Sequence, residues 1–586
     1  MLLITSGAYV ESELASEFGR IPPAFLPVGN RRLYTYQVSQ FGRLHDRVCL
    51  TVPDDFALDE ADTAWLRAHR VEVLRTTPGA ALGAAIHEFL CVSGVAGPLD
   101  ILYGDTLVTD PLREGSDWLA VGHTEEYYDW YHEAPSSGQP GGAWTGLFSF
   151  SDAGLLRTQL EATDDFIAAV RAYDGAIGGL AHWTVSRWLD FGHVHTYFDS
   201  KRIITTQRHF NQLRVADGVV TKSGTDSAKI MAEASWFEQA PAPIKPYLAP
   251  YICRTTENGG SGGACAYQLE YLHLATLNEL YVFGRLPERV WRRILRACDA
   301  YLRTAAGLAA PPAAALSGSL PPAAVLSGSL PPAAALSSSL PPAAALSESR
   351  PPAAALSNPA PPDAADAALL DPDMVRRTYL DKTLQRLETY AGQAGIDLDA
   401  PWTLNERPAP PLRAIAEHAG AALLAAPPVP AFLHGDFCFS NILFDFRAGR
   451  VKMVDPRGTD ALGRPSRFGD LRYDLGKLAH SVLGLYDFIV AGFYLLQVEG
   501  RSLQFRVLSE RCLSVQRLFA ATAFAGRRPA QWQCHPVMVL LFLSMLPLHA
   551  DDPRRQQALM ANGIRLYMEW ISDDRHPDGG TEPALS

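Results

Sequence analysis

The segment FLHGDFCFSNILFDFRAGRVKMVDPRG, residues 432–458, sets one His, three Asp and one Asn among short apolar runs. PAFL reads as a strand that ends on a loop carrying Asp436. ILFDF and VKMVD read as the next two strands, with Asn441 just before the first and Asp455 at the end of the second. A hairpin of these two strands returns Asp455 towards Asp436 and Asn441. That gathers a carboxylate able to accept a hydroxyl proton and two oxygen ligands for a hard cation, the set that phosphoryl transfer requires.

Outward from this segment, the chain of 586 residues is too long for one core, since single cores stop growing at roughly 250–300 residues. A net charge of −12 excludes a nucleic-acid binder that works through a broad basic surface. The eight cysteines include no CxxC pair, which argues against a zinc site and for reduced thiols in the cytoplasm. MLLITSGAYV lacks the basic start of a signal peptide. VMVLLFLSML, residues 537–546, is about half the roughly 20 residues of a membrane span and reads as a buried helix. The expectation is a soluble cytoplasmic protein with no membrane span.

Along residues 1–204, MLLIT, RVCLTV, VEVLRT and DILYGD read as strands. DEADTAWLRAHR and GAALGAAIHEFLCVSG read as the helices between them. Such alternation predicts a mostly parallel, doubly wound sheet, and Asp105 in YGDT stands at a strand's carboxyl end, where ligands bind. Residues 205–305 change texture. RHFNQLRVADGVVTKSG predicts two strands around an ADG turn, SAKIMAEASWFEQA a helix, and YQLEYLHLATLNELYVF a strand and then a helix. Residues 306–365 contain five copies of a ten-residue unit beginning PPAA, too poor in distinct apolar positions for a solenoid. They read as a low-complexity insertion. Residues 366–573 are mainly helical in pattern, and 574–586 form a tail.

HGDFCFSN followed by VDP resembles the motifs of the aminoglycoside phosphotransferase and choline kinase family, which has a bilobal, protein-kinase-like fold with a mainly helical C-lobe. The resemblance implies Asp436 as catalytic base, with Asn441 and Asp455 as Mg2+ ligands. It further implies Lys222 of VVTKSG and Glu233 of IMAEASW as the Lys–Glu pair that meets the phosphates of ATP, and Glu270 of YQLEYL at the hinge. Asp470 and Asp474 of FGDLRYDLGKL read as structural or substrate-side. No clear Gly-rich phosphate loop is present.

Residues 6–37, SGAYVESELASEFGRIPPAFLPVGNRRLYTYQ, resemble the opening of sugar-phosphate nucleotidyltransferases, with a Rossmann-like sheet. PPAFLPV stands where that family has PKxLxPV, so Pro23 replaces the motif Lys. YGDT and RWLDFGHVHTYFDS resemble its two metal segments, which implies Asp105 and Asp190 as Mg2+ ligands. Amides around Gly7 and Ala8 would cradle a second NTP, and Arg20, Arg31 or Arg32 would supply positive charge. His193 and His195 read as structural.

Together the two resemblances imply a bifunctional enzyme. One half phosphorylates a sugar or small polyol with ATP. The other transfers a nucleotidyl group to a sugar phosphate or similar ester, for capsule or lipopolysaccharide precursors. Two alternatives stay open: a single-activity small-molecule kinase (choline-, aminoglycoside- or sugar-like) with a degenerate nucleotidyltransferase-like binding domain, and a scaffold of two pseudoenzymes.

Overall fold

The computed structural model describes residues 1–124, 131–133, 141–204, 211–256, 265–309 and 371–575. The ten-residue repeat and all but the first two residues of the C-terminal tail lie outside the described residues.

Near the N-terminus four parallel strands, Leu2–Thr5, Val48–Pro53, Val71–Thr76 and Leu99–Tyr103, form the heart of a mixed sheet. Val48–Pro53 is buried at every residue, as a central strand covered on both faces requires. Gly141–Phe150 continues the sheet antiparallel to Leu99–Tyr103 and carries Trp118–Thr124 on its other edge. Ala181–Val185 then pairs parallel to Trp118–Thr124. The chain leaves Leu99–Tyr103 through Gly104 and Asp105 into a short strand, Thr106–Val108, which pairs antiparallel with Trp188–Asp190. In that register Asp190 lies opposite Thr106, so two carboxylates distant in sequence meet at the carboxyl edge of the parallel strands.

A second, antiparallel sheet follows in the order Asn211–Ala216, Val219–Gly224, Cys265–Glu270, Tyr251–Thr256. Its first hairpin turns at Asp217 and Gly218 with φ of 50° and 72°, the geometry a two-residue turn demands. The helix Ser227–Glu238 packs on this sheet, its first turn capped by Asp226. Beyond it the molecule is mainly helical. Cys534–Met545 is buried at every position except His535, which accounts for its apolar run. Among the described residues no helix is long and apolar enough to cross a membrane.

One feature of this part departs from the helical expectation. Trp402–Leu404, Arg407–Ala409, Tyr494–Glu499 and Ser502–Val507 form a four-stranded sheet. Only Ser502–Val507 shows period two, with Leu503 and Phe505 buried and polar residues between them.

Polar contacts join the N-terminal part to the part of the chain that follows it. The Arg32 guanidinium, 1% exposed, is gripped by Asp62 at 3.1 Å and donates to the carbonyl oxygens of Phe25 and Phe283. Lys201 pairs with Glu279 at 2.6 Å, and the Asn278 amide donates to Asn30 at 2.7 Å.

Candidate active sites

The HGD segment sits between the short strand Pro430–Phe432 and the single turn Phe439–Asn441. Gly435 has φ of 76°, and a Cβ there would come within 2.7 Å of the Arg457 side chain, so both conformation and space demand glycine. Two backbone amides, of His434 and Gly435, donate to the buried Asp474 carboxylate at 2.9 and 2.8 Å. Burial pushes the Asp474 carboxyl up to about 7 despite those donors. His434 is buried and neutral, burial lowering its pKa to about 4. Its ring takes the Asp436 amide on Nδ1 and meets the Val454 carbonyl through Nε2, so it ties the two acidic loops together.

Asp436 is held from both sides. The Asn441 amide nitrogen donates to its Oδ2 at 2.8 Å, and the Lys477 ammonium lies 2.8 Å from Oδ1. Lys477 was not anticipated from sequence, although its position one helical turn after Asp474 on Leu471–Val482 places it on the same face. Burial disfavours the Lys477 charge, but Asp436 and Tyr473 outweigh that and raise its pKa.

The strands Ile442–Asp445 and Arg450–Met453 form the expected hairpin, and Asp455 follows with φ of 59°, a left-handed conformation uncommon for Asp and frequent at functional sites. Lys222 bridges Asp455 and Glu233, its Nζ lying 2.5 Å from the Glu233 carboxylate. Glu233 is fully buried and also accepts from the Tyr267 hydroxyl at 3.0 Å. Gly458 makes this closure feasible, since a Cβ there would meet the backbone of Ala232 and Glu233 at 2.7–2.9 Å. Asp436, Asn441, Asp455, Lys222 and Glu233 are thus brought into one cleft. Glu270 is exposed at the end of its strand, three positions along the sheet from Tyr267, the partner of Lys222.

In the N-terminal part, Asp105 and Asp190 converge. A Cβ on Gly192 would lie 3.0 Å from Asp105 Oδ2 and 3.2 Å from Asp190 Oδ1. Burial, and next the Asp190 charge, push the Asp105 carboxyl up to about 7. His193 lies 3.8 Å from Asp190, whose hydrogen bond raises its pKa. Both carboxylates line a cavity of about 730 Å³ walled by Tyr9, Tyr103, Trp144, Phe166 and Trp188. Ala8 lines it too. Gly7 instead lies against Thr76, where a Cβ would come within 2.3 Å of the hydroxyl. Among the described residues five carboxylates line the cavity, and no Lys or Arg does.

The expected arginines are placed otherwise. Arg31 is exposed on its two-residue strand, outside the cavity lining. Arg32 is sealed in the core by Asp62, Asp59 and two carbonyls, which corrects its assignment as a nucleotide ligand. Among the described residues, no group of three or more His, Cys, Asp or Glu side chains gathers as a metal site. The donor sets nevertheless suit Mg2+, which takes hard oxygen ligands and completes its shell with water and phosphate. In the N-terminal cavity the two carboxylates repel one another, and His193 is the titratable base beside them in the described lining.

No protein-family model and no curated protein matches the chain. Among solved structures, UDP-glucose pyrophosphorylase complexed with UDP-glucose is 14% identical with a TM-score of 0.27, covering 34% of this chain and 97% of that one. The inositol-1-phosphate CTP transferase from T. maritima is 13% identical with a TM-score of 0.26, covering 35% and 95%. The GDP and kanamycin complex of APH(2")-IIia is 13% identical with a TM-score of 0.33, covering 63% and 92%. The chain is similar to nucleotidyltransferases over about a third of its length and to an aminoglycoside phosphotransferase over a larger share. Chemistry is decided by the side chains described above.

Proposed function

We propose that the chain is a Mg2+-dependent phosphotransferase that moves the γ-phosphoryl group of ATP to a hydroxyl of a small sugar or polyol. The observation that carries this reading is the bridge from Lys222 to Glu233 and Asp455, beside the Asp436–Asn441 pair. Asp436 accepts the proton of the acceptor hydroxyl as its oxygen bonds to phosphorus and the bond to ADP breaks. Lys222, held by Glu233, meets the phosphates. Asn441 and Asp455 would hold Mg2+, which when bound neutralises charge on the phosphates. All eight cysteines are unpaired, which supports a reducing, cytoplasmic setting.

In the same proposal the N-terminal cavity performs nucleotidyl transfer. A phosphate oxygen of a sugar phosphate attacks the α-phosphorus of an NTP, and pyrophosphate leaves. Asp105 and Asp190 would hold Mg2+ there, and amides near Ala8 would contact the nucleotide. The pair of activities fits synthesis of activated precursors for capsule or lipopolysaccharide. A second reading, a phosphotransferase with a degenerate binding domain, is favoured by the absence of any Lys or Arg among the described residues that line the cavity.

Asp105→Asn separates the two readings. It should abolish pyrophosphate release from NTP and sugar phosphate while leaving ATP consumption intact. If the unaltered protein releases no pyrophosphate with any NTP and sugar-phosphate pair, the second reading replaces the first. Magnesium-dependent ATP turnover that survives Asp436→Ala would remove the phosphotransferase assignment.

A further inference from the structure

The helix Lys382–Ala394 does not begin with an ordinary turn. Residues Arg377–Asp381 form a wide turn, and the Lys382 amide bonds back five residues to the Arg377 carbonyl. Such π-type turns are rare and recur at functional sites. The turn leads directly into Lys382 and Arg386, four apart and therefore on one helical face. Lys382 feels the charges of Tyr473 and Lys477 of the helix Leu471–Val482, and Arg457 from the VDPRG loop lies 5.3 Å from the Tyr473 ring centre. The site described above uses Lys477, which sits on Asp436. It leaves Lys382, Arg386 and Arg457 without a role.

Among the described residues no carboxylate lies within ion-pair distance of Lys382, Arg386 or Arg457, and Arg386 donates only to the Ser544 carbonyl at 3.1 Å. Tyr473 favours the Lys382 charge, but burial and the charges of Arg457, Arg386 and Lys477 outweigh it and bring the ammonium down to about 8. Gathering like charges in a half-buried place is unfavourable unless an anion joins them. Asp436 is already paired with Lys477. The positive charge of Lys382, Arg386 and Arg457 therefore gathers around Tyr473, one neighbour removed from Asp436 through Lys477, and would repel a quaternary ammonium or polyamine acceptor.

We propose that the acceptor of the phosphotransferase cleft is a hydroxyl compound bearing an oxyanion, a carboxylate or a phosphate, which Lys382, Arg386 and Arg457 hold so that the hydroxyl faces Asp436. This rests on the assignment of Asp436 as the base. Calorimetric titration tests it on the full-length protein saturated with Mg2+ and a non-hydrolysable ATP analogue, with inorganic phosphate and acetate as separate probes. At least one anion should bind saturably, and Lys382→Met and Arg386→Gln should each weaken it tenfold or more. The affinity for the analogue should change less than twofold. A tenfold preference for phosphate indicates a phosphorylated acceptor, and parity or a preference for acetate indicates a carboxylic acid. The proposal is overturned if neither anion saturates in the unaltered protein, or if both folded variants bind as it does. If the ATP analogue fails to bind, the phosphotransferase assignment falls, and the same titration without analogue still decides the anion site.

Discussion

In the N-terminal cavity Asp105 and Asp190 face one another with no Lys or Arg among the described lining residues, whereas in the C-terminal cleft Lys477 stands on Asp436 and Lys222 on Asp455. Both places would handle nucleotide phosphates, yet their charge is balanced differently. The cleft carries its own counter-ions, so its acids are held in position by the protein alone. In its described lining the cavity has only His193 beside Asp190, and burial, and next the Asp190 charge, keep the Asp105 proton affinity high until a cation joins them. The first is assembled by folding, and the second is completed by what binds.

The largest effect expected is on the cleft. Asp436→Ala removes the proposed base and should lower ATP-dependent phosphorylation on the order of 10³-fold, equivalent to about 4 kcal/mol of barrier. Nucleotidyl transfer should be unaffected, and coupled loss of both activities in a folded variant would break the separation of the two sites. Next comes the junction between them. Arg32→Met leaves Asp62 buried without its partner and should destabilise the protein by about 3–5 kcal/mol in denaturant unfolding. A near-neutral result would mean that the junction is not held by this ion pair.

Mg2+ and pH sharpen the contrast. Asp105 has a folded pKa above its unfolded value, so the native state keeps a proton that the unfolded chain releases. Metal-free stability should therefore fall as pH rises from about 4 to about 7. Buried Asp474 adds a contribution of the same sign. Millimolar Mg2+ should raise the melting temperature by about 2–4 °C more at pH 8 than at pH 5. Asp105→Asn should remove that difference, and its persistence would place the responsive metal site elsewhere. The smallest effect belongs to the exposed pair Arg506–Glu60, which links the two parts at 2.6 Å. Arg506→Ala should cost about 0.2–1 kcal/mol, and a larger loss would make the rim of the junction as important as Arg32.

Much of the cleft was legible because its acids lie within one short segment whose strands alternate plainly. Asp436, Asn441 and Asp455 meet through a hairpin whose register follows from local pattern. Lys222 and Glu233 were legible as a strand residue and a helix residue, while the bridge from Lys222 to Asp455 spans 233 residues and depends on the helix Ser227–Glu238 docking against Gly458. Lys477 and Lys382 escaped notice because a lysine on an amphipathic helix reads as solvated. Arg32 misled for the opposite reason. Polar residues at a turn suggest a surface, and burial was decided by Asp62 and by the Phe283 carbonyl. The sheet built on Trp402–Leu404 was hidden because two of its strands have three residues each and Tyr494–Glu499 shows no alternation.

From the amino-acid order alone came the two-part organisation, the parallel sheet ending at Asp105, and the acidic hairpin. Each of these rests on apolar periodicity and turn chemistry over neighbouring residues. Only the folded chain decided where charge is balanced: Lys477 on Asp436, Arg32 withdrawn into the core, no Lys or Arg among the described residues lining the Asp105 cavity, and Lys382, Arg386 and Arg457 gathered around Tyr473. Electrostatic balance is a sum over groups brought together from distant segments, and local pattern carries no record of it.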